Sequence, residues 1–136
     1  MEDPLSPISP FKSRSGFKRI FSAIGYSIEG FKTAWHGEHA FRQELLVVII
    51  AAAIAFVLPL PALHKLILIA VFVLVLIVEL INSAIEAVVD RVSLERNPLS
   101  KNAKDFGSAA VFLSFSLALA TWAVILWPLV ASMLSA

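Results

Sequence analysis

A stripe of polar residues interrupts one of the most apolar segments of the sequence. Glu79, Asn82 and Glu86 lie within the run from Leu66 to Val89, and Asp90 follows it directly. Because an α-helix repeats every 3.6 residues, these side chains share one helix face. A carboxylate at the centre of a membrane span costs about 2.5–3.5 kcal/mol on insertion scales. The stripe must therefore face protein, water or an ion, and it predicts a functional site.

Further charged residues are predicted to gather at the same end of that helix. Glu38 and Glu44 precede the first apolar run, and Lys104 and Asp105 begin the third. Mg²⁺ prefers oxygen ligands and often takes only one or two carboxylates together with substrate phosphates. Another carboxylate can then act as a general base. These residues therefore predict metal-assisted chemistry at the membrane interface.

Two other interpretations use the same carboxylates. A small cation-coupled or proton-coupled transporter would use Glu79 and Glu86 as a relay, without needing Lys104 and Asp105 beside them. A non-catalytic assembly protein would pair the carboxylates with basic residues and would tolerate neutral substitutions of similar shape. Asp90 has a further interpretation as an acid that meets water where its span ends.

The composition indicates what must position these residues. The chain has 136 residues, of which 59% are hydrophobic and 15% charged. An ordinary soluble domain is about 45–50% apolar and about 25% charged. The sequence therefore predicts one integral membrane domain and excludes intrinsic disorder of the whole chain. Its net charge of +1 gives no support for nucleic-acid binding, and the absence of cysteine excludes thiolate sites.

The hydropathy pattern predicts an all-α membrane protein with an N-terminal amphipathic surface helix and three transmembrane helices. A soluble helix packed on a core is the alternative for the amphipathic segment, in which Gly25 and Gly30 are candidate break points. We expect a flexible tail at 1–15 and one membrane domain at 16–136. Within that domain we expect the surface helix at about 16–36 and spans at about 41–60, 64–90 and 104–131.

Basic residues predict the orientation of the three spans. Six lie before the first span and four lie in the segment between the second and third, whereas the intervening turn has only Lys65. The positive-inside rule then places the N-terminus and the 90–105 loop in the cytoplasm, with the C-terminus outward. Three spans from one chain enclose little interior, so we also expect protomers to associate over the polar stripe.

Three parts of the sequence carry a resemblance to a known family. Residues 79–91, ELINSAIEAVVDR, resemble the signature of the prokaryotic diacylglycerol kinase family. Residues 103–110, AKDFGSAA, match its second signature block, and segments within 25–44 match its N-terminal pattern. The similarity covers about residues 16–127, and the first motif is long and free of gaps. The chain is most similar to the proteobacterial branch of the family.

This resemblance implies a homotrimer of three-span protomers in the bacterial inner membrane. It implies transfer of the γ-phosphate of ATP, with Mg²⁺, to the free hydroxyl of diacylglycerol, which gives phosphatidic acid. The nearest alternative in the family is an undecaprenol kinase, which performs the same chemistry on a polyprenol. The context of Tyr26 and Trp35 favours diacylglycerol.

The resemblance also implies roles for individual residues. Glu79 corresponds to the catalytic base, and Glu38 and Glu86 correspond to metal ligands. The positions that correspond to nucleotide contacts are Arg19, Tyr26, Glu38, Glu86, Glu95, Lys104 and Asp105. The positions that line the site or lie near the lipid headgroup are Ser27, Trp35, Arg42, Gln43, Glu44, Asn82 and Ser108. The sequence departs from the family pattern at Gly37 and at residues 96–98.

Overall fold

The computed structural model describes residues 16–92 and 97–135. Among these residues the chain forms four α-helices and no β-strand, which confirms the all-α fold class. Three of the helices are long and apolar enough to cross a membrane. The helices are α1 (Gly16–Gly37), α2 (His39–Val57), α3 (Ala62–Val92) and α4 (Pro98–Leu134).

Proline and a lysine determine the turn between α2 and α3. Leu58 follows the last residue of α2 with an extended backbone (φ −67°, ψ 142°), as expected for a residue before proline. The Lys65 ammonium donates a hydrogen bond of 2.8 Å to the Phe56 carbonyl near the end of α2. This bond supplies a partner for a terminal carbonyl of the helix and holds the turn closed.

The fourth helix begins at Pro98, before the start near 104 expected from the hydropathy of the third span. The Asn97 side chain accepts a hydrogen bond of 2.8 Å from the Leu99 amide, and Pro98 occupies the first helical turn. An Asn cap followed by proline is a strong start signal for a helix. The helix therefore extends through a polar segment that hydropathy alone assigns to a loop.

The first helix is continuous through Gly25 and Gly30, so the expected break in it was wrong. A single glycine costs only about 1 kcal/mol relative to alanine in a helix. The Arg42 guanidinium donates a hydrogen bond of 2.6 Å to the Trp35 carbonyl at the end of α1. Phe31 packs on Phe41 with ring centroids 6.4 Å apart. These contacts attach α1 to the beginning of α2.

The core lies where α3 packs between α2 and α4. Ala51, Phe72, Val75 and Ala118 form a buried cluster that draws one or more residues from each of these helices. The Trp122 indole donates a hydrogen bond of 3.0 Å to the Leu68 carbonyl and lies edge-on to Phe72 at 5.7 Å. Small residues on α2 and α4 allow those helices to approach the larger side chains of α3.

We predict that Ala118→Leu destabilises the bundle, because Ala118 is fully buried and has no space for added carbons. Overpacking of this kind costs about 1–3 kcal/mol. The measurement is unfolding in mild detergent followed by circular dichroism. Ala120→Leu is the matched control, since Ala120 is exposed on the same helix. Equal stability of the two variants would contradict this description of the core.

Candidate functional site

The polar stripe of α3 is most deeply buried at Glu79 and Asn82. The side chains of Glu79 and Asn82 are 5% and 9% exposed, although both lie in a helix expected to cross the membrane. Glu79 is 17 residues beyond the first residue of α3. At 1.5 Å per residue this is about 26 Å along the helix, against about 30 Å for a hydrocarbon core. A hydrocarbon core that begins at Ala62 would therefore place Glu79 toward its opposite face.

A second buried carboxylate approaches the stripe from α2. Glu44 is 7% exposed, and its Oε2 atom has no hydrogen-bond partner. Ala51 of α2 and Phe72 of α3 belong to the same core cluster. Glu44 precedes Ala51 by seven residues and Glu79 follows Phe72 by seven. Because seven residues are about two turns, the antiparallel helices bring the two carboxylates to one level.

Asn82 joins the buried part of the stripe to Glu86. Its Nδ2 atom donates a hydrogen bond of 3.2 Å to Glu86 Oε1, one turn further along α3. Its Oδ1 atom is buried without a partner and lies against Gly107 of α4. Glu86 is only partly buried. The stripe therefore changes from enclosed to accessible between Asn82 and Glu86.

Glu38 lies at the junction between α1 and α2. It is the one residue between these helices, its backbone is extended (φ −105°, ψ 114°), and its side chain is partly buried. Its carboxylate lines a groove of about 510 Å³ between α1 and α3. The other residues that line this groove are Ser27, Gly30, Phe31, Thr33, Ala34, Leu80, Ser83, Ala84 and Ala87.

The acidic residues approach one another from two parts of the fold. Glu79 and Glu86 share one face of α3, and Glu38 lines the groove between α1 and α3. Within residues 16–92 and 97–135, no three His, Asp or Glu side chains converge as a metal site.

Basic residues of α4 border the accessible end of the stripe. The Lys104 ammonium is 2.6 Å from Asp90 Oδ1, which forms an ion pair between α4 and α3. Asp105 pairs instead with Lys101 on its own helix. Both ion pairs are solvent-exposed, so each contributes about 1 kcal/mol or less to stability. Of the two, the Lys104–Asp90 pair alone links α4 to the stripe, through a contact that a competing anion can replace.

The remaining predicted site residues divide into two groups. Trp35 and Arg42 lie at the end of α1, where the Arg42 guanidinium also contacts His39 Nδ1 at 2.7 Å. Arg19, Tyr26, Gln43 and Ser108 lie at exposed positions. Glu95, which the resemblance assigns to the nucleotide, lies outside the described residues.

Sequence reasoning assigned no role to two residues that contact the site. Gly107 contacts Asn82 at close range, and Lys101 holds Asp105. A glycine inside a helix is a detectable signal, since it carries a cost that only close packing or a special contact offsets. The spacing of four residues between Lys101 and Asp105 likewise indicates an ion pair on one helix face.

Comparison with known proteins gives one consistent result. The family described as prokaryotic diacylglycerol kinase matches residues 25–126. The diacylglycerol kinase of Pseudomonas aeruginosa is 56% identical over 122 residues, which cover 90% of this chain and 98% of that protein. The diacylglycerol kinase of Escherichia coli K12 is 50% identical over 113 residues, with 83% and 93% coverage. That of Haemophilus influenzae is 37% identical over 113 residues, with 83% and 96% coverage.

Proposed function

The chain belongs to the prokaryotic diacylglycerol kinase family, and on that premise we propose how its polar stripe phosphorylates a lipid. The protein is a lipid kinase that transfers a phosphoryl group from ATP to diacylglycerol. The observation that carries the proposed mechanism is the buried Glu79, which lies among further polar side chains of α2 and α3. A lipid alcohol presents its hydroxyl at the membrane interface, whereas ATP approaches from water.

We assign Glu79 as the general base. As the diacylglycerol oxygen attacks the γ-phosphorus, its O–H proton passes to the Glu79 carboxylate and a new P–O bond forms. The bond between the γ-phosphorus and the β,γ-bridging oxygen breaks, and ADP leaves with that electron pair. Positioning and charge stabilisation supply most of the catalysis in phosphoryl transfer. Burial of Glu79 excludes water that would otherwise compete as the nucleophile.

Glu38 and Glu86 are the proposed ligands for Mg²⁺. Both are only partly buried, and Asn82 donates a hydrogen bond to one Glu86 oxygen. Two carboxylates that leave room for phosphate oxygens suit a hard cation with incomplete protein coordination. When bound, the ion offsets the charge of the triphosphate. Glu38 can respond to movements of α1, because it lies at the junction where that helix ends.

Lys104 and Asp105 are proposed to bind the nucleotide next to these carboxylates, together with Glu95, Arg19 and Tyr26. Lys104 supplies positive charge to the phosphates, and its ion pair with Asp90 keeps it at the accessible end of the stripe. An ammonium that leaves one anion for another loses little energy in an exposed pair. Ser108 lies one turn beyond Lys104 on α4.

The surface helix is proposed to bind the lipid side of the substrate. Its exposed apolar residues include Phe17, Phe21 and Ile24, and Arg19 and Lys32 lie among them. This pattern suits a helix at the headgroup level of a membrane. The residues assigned to the site lining and the lipid headgroup are Ser27, Trp35, Arg42, Gln43, Glu44, Asn82 and Ser108. Ser27 lines the groove that leads past Glu38 to α3.

We further propose a homotrimer in the bacterial inner membrane. Within one protomer the stripe is only partly covered, since Glu86 is half-buried and Asp90 is exposed. Three spans cannot surround such a stripe, and a neighbouring copy would cover it. The basic residues around the 90–105 loop and before α2 place those segments in the cytoplasm by the positive-inside rule, with the C-terminus outward.

We predict that Glu79→Gln lowers the turnover rate about 10²–10⁴-fold, the usual contribution of a general base. Glutamine keeps the shape of the side chain but cannot accept the proton. The measurement is phosphoryl transfer to diacylglycerol in mixed micelles, with Glu29→Gln on the exposed face of α1 as the matched control. Near-normal turnover of a correctly assembled Glu79→Gln protein would exclude Glu79 as the base.

A second prediction concerns the metal. Glu86→Gln should raise the Mg²⁺ concentration needed for half-maximal rate and reduce the maximal rate, because one charged ligand is lost. Titration of the rate with Mg²⁺ at fixed ATP measures both effects. An unchanged titration curve would contradict the assignment of Glu86. It would favour the alternative in which the carboxylate serves only assembly.

A third prediction concerns assembly. Crosslinking of the purified protein in mild detergent should give trimers, because a single protomer leaves its polar stripe partly uncovered. The Glu79→Gln and Glu86→Gln proteins should crosslink to the same extent, since these substitutions keep the side-chain shape. An active species that is strictly monomeric by sedimentation would contradict the proposed trimer.

A further inference from the structure

Gly107 has an environment unlike that of the other described glycines. It is buried on α4, and a Cβ atom added to it would overlap Asn82 Oδ1 and lie 3.1 Å from Asn82 Cγ. At Gly25, Gly30 and Gly37 an added Cβ would meet nothing within 4 Å. Glycine in a helix interior costs about 1 kcal/mol relative to alanine. Among these four positions, only Gly107 gains a side-chain contact that offsets this cost.

The contact fixes the orientation of the Asn82 amide. Its Oδ1 atom rests against Gly107 and has no hydrogen-bond partner, while its Nδ2 atom donates to Glu86 at 3.2 Å. The reversed amide would turn its oxygen toward the Glu86 carboxylate and lose the donor. The Glu86 carboxylate selects the Nδ2 end as its donor, and the space above Gly107 leaves room for the Oδ1 end. α4 thus acts on the Glu86 carboxylate of α3 through the Asn82 amide.

We propose that Gly107 is a positioning residue that orients the Glu86 carboxylate through Asn82. This inference rests on the proposed function, in which Glu86 is a ligand for Mg²⁺. Residues that hydrogen-bond to metal ligands fix the orientation of the ligand, and their loss typically costs about 10–100-fold in metal affinity or activity. Gly107 does not contact the metal ligand itself, but it determines where the Asn82 amide that hydrogen-bonds to Glu86 can lie.

The added Cβ of Gly107→Ala would overlap only part of one side chain, so the variant can test the proposal while the bundle stays folded. An added Cβ would meet the far end of the Asn82 side chain, whereas Asn82 Cβ would be 3.8 Å away, an ordinary contact. The amide can rotate away while the helices keep their places. Alanine is also the better helix former. Gly107→Ala should therefore alter the metal site while leaving the bundle folded.

The experiment compares Gly107→Ala with Gly25→Ala as the matched control. We expect Gly107→Ala to weaken divalent-metal binding by about 10-fold or more, in the range for such partners. Gly25→Ala should leave metal binding unchanged. Binding is measured with Mn²⁺ in place of Mg²⁺, by electron paramagnetic resonance of the protein with ADP, which requires no turnover. Unfolding in detergent is followed in parallel, and unchanged metal binding by a folded Gly107→Ala protein would overturn the proposal.

A double-mutant cycle tests whether the effect passes through Asn82. Asn82→Ala removes both the overlap and the hydrogen bond, so adding Gly107→Ala to it should cause no further loss of Mn²⁺ affinity. An equal loss in both backgrounds would overturn the proposed route. If Gly107→Ala alone does not fold, recovery of folding in the double variant supports the contact, and failure to recover contradicts it.

The Glu86→Gln protein separates this inference from the proposed function. If Glu86→Gln leaves Mn²⁺ binding unchanged, the metal assignment fails whatever Gly107 does. If Glu86→Gln weakens binding but Gly107→Ala does not, the metal assignment stands and the positioning role fails.

Discussion

The burial of a polar stripe in a membrane-spanning helix constrains the rest of this structure. Glu79 and Asn82 lie almost fully enclosed on α3, where an unpartnered charge or amide would be costly in hydrocarbon. The fold places α3 between α2 and α4, so that protein covers one side of the stripe. Small residues of α2 and α4 let those helices pack closely against α3, as at Ala51, Ala118 and Gly107. Stability and chemistry therefore depend on the same helix contacts.

The stripe is not enclosed uniformly, and this gradient has a functional meaning. Glu79 is enclosed, whereas Glu86 is half-buried and Asp90 is exposed. The Asn82 amide lies at the transition and connects the enclosed and accessible parts by one hydrogen bond. In the proposed mechanism, the lipid alcohol reaches the enclosed part of the stripe and the nucleotide reaches the accessible part.

Much of this organisation follows from the sequence. The apolar runs and their interruptions predicted four helices, and the spacing of Glu79, Asn82 and Glu86 predicted one polar face. The start of α4 was less predictable, because the Asn97 cap and Pro98 begin a helix inside a polar segment that hydropathy assigns to a loop. Gly25 was a poor guide to a break, since one glycine is a weak interruption in a long helix.

The contacts between helices were the least accessible to sequence reasoning. The pattern placed Glu44 near the correct end of the bundle, but its burial level with Glu79 depends on how α2 and α3 align. The contact of Gly107 with Asn82 likewise depends on the register of α3 against α4. Neither register follows from the periodicity of one helix. Each emerges only when side-chain volumes on both helices are packed together.

The central claim is that this stripe phosphorylates a lipid alcohol, with diacylglycerol as the acceptor. Its most direct test supplies the purified protein with ATP radiolabelled at the γ-phosphate, Mg²⁺, and either diacylglycerol or undecaprenol in mixed micelles, followed by thin-layer chromatography. We expect label in phosphatidic acid and much less in undecaprenyl phosphate. Label in undecaprenyl phosphate alone would contradict the assignment of the acceptor. No label in either lipid would contradict lipid phosphorylation and favour an ion-coupled transporter or an assembly protein.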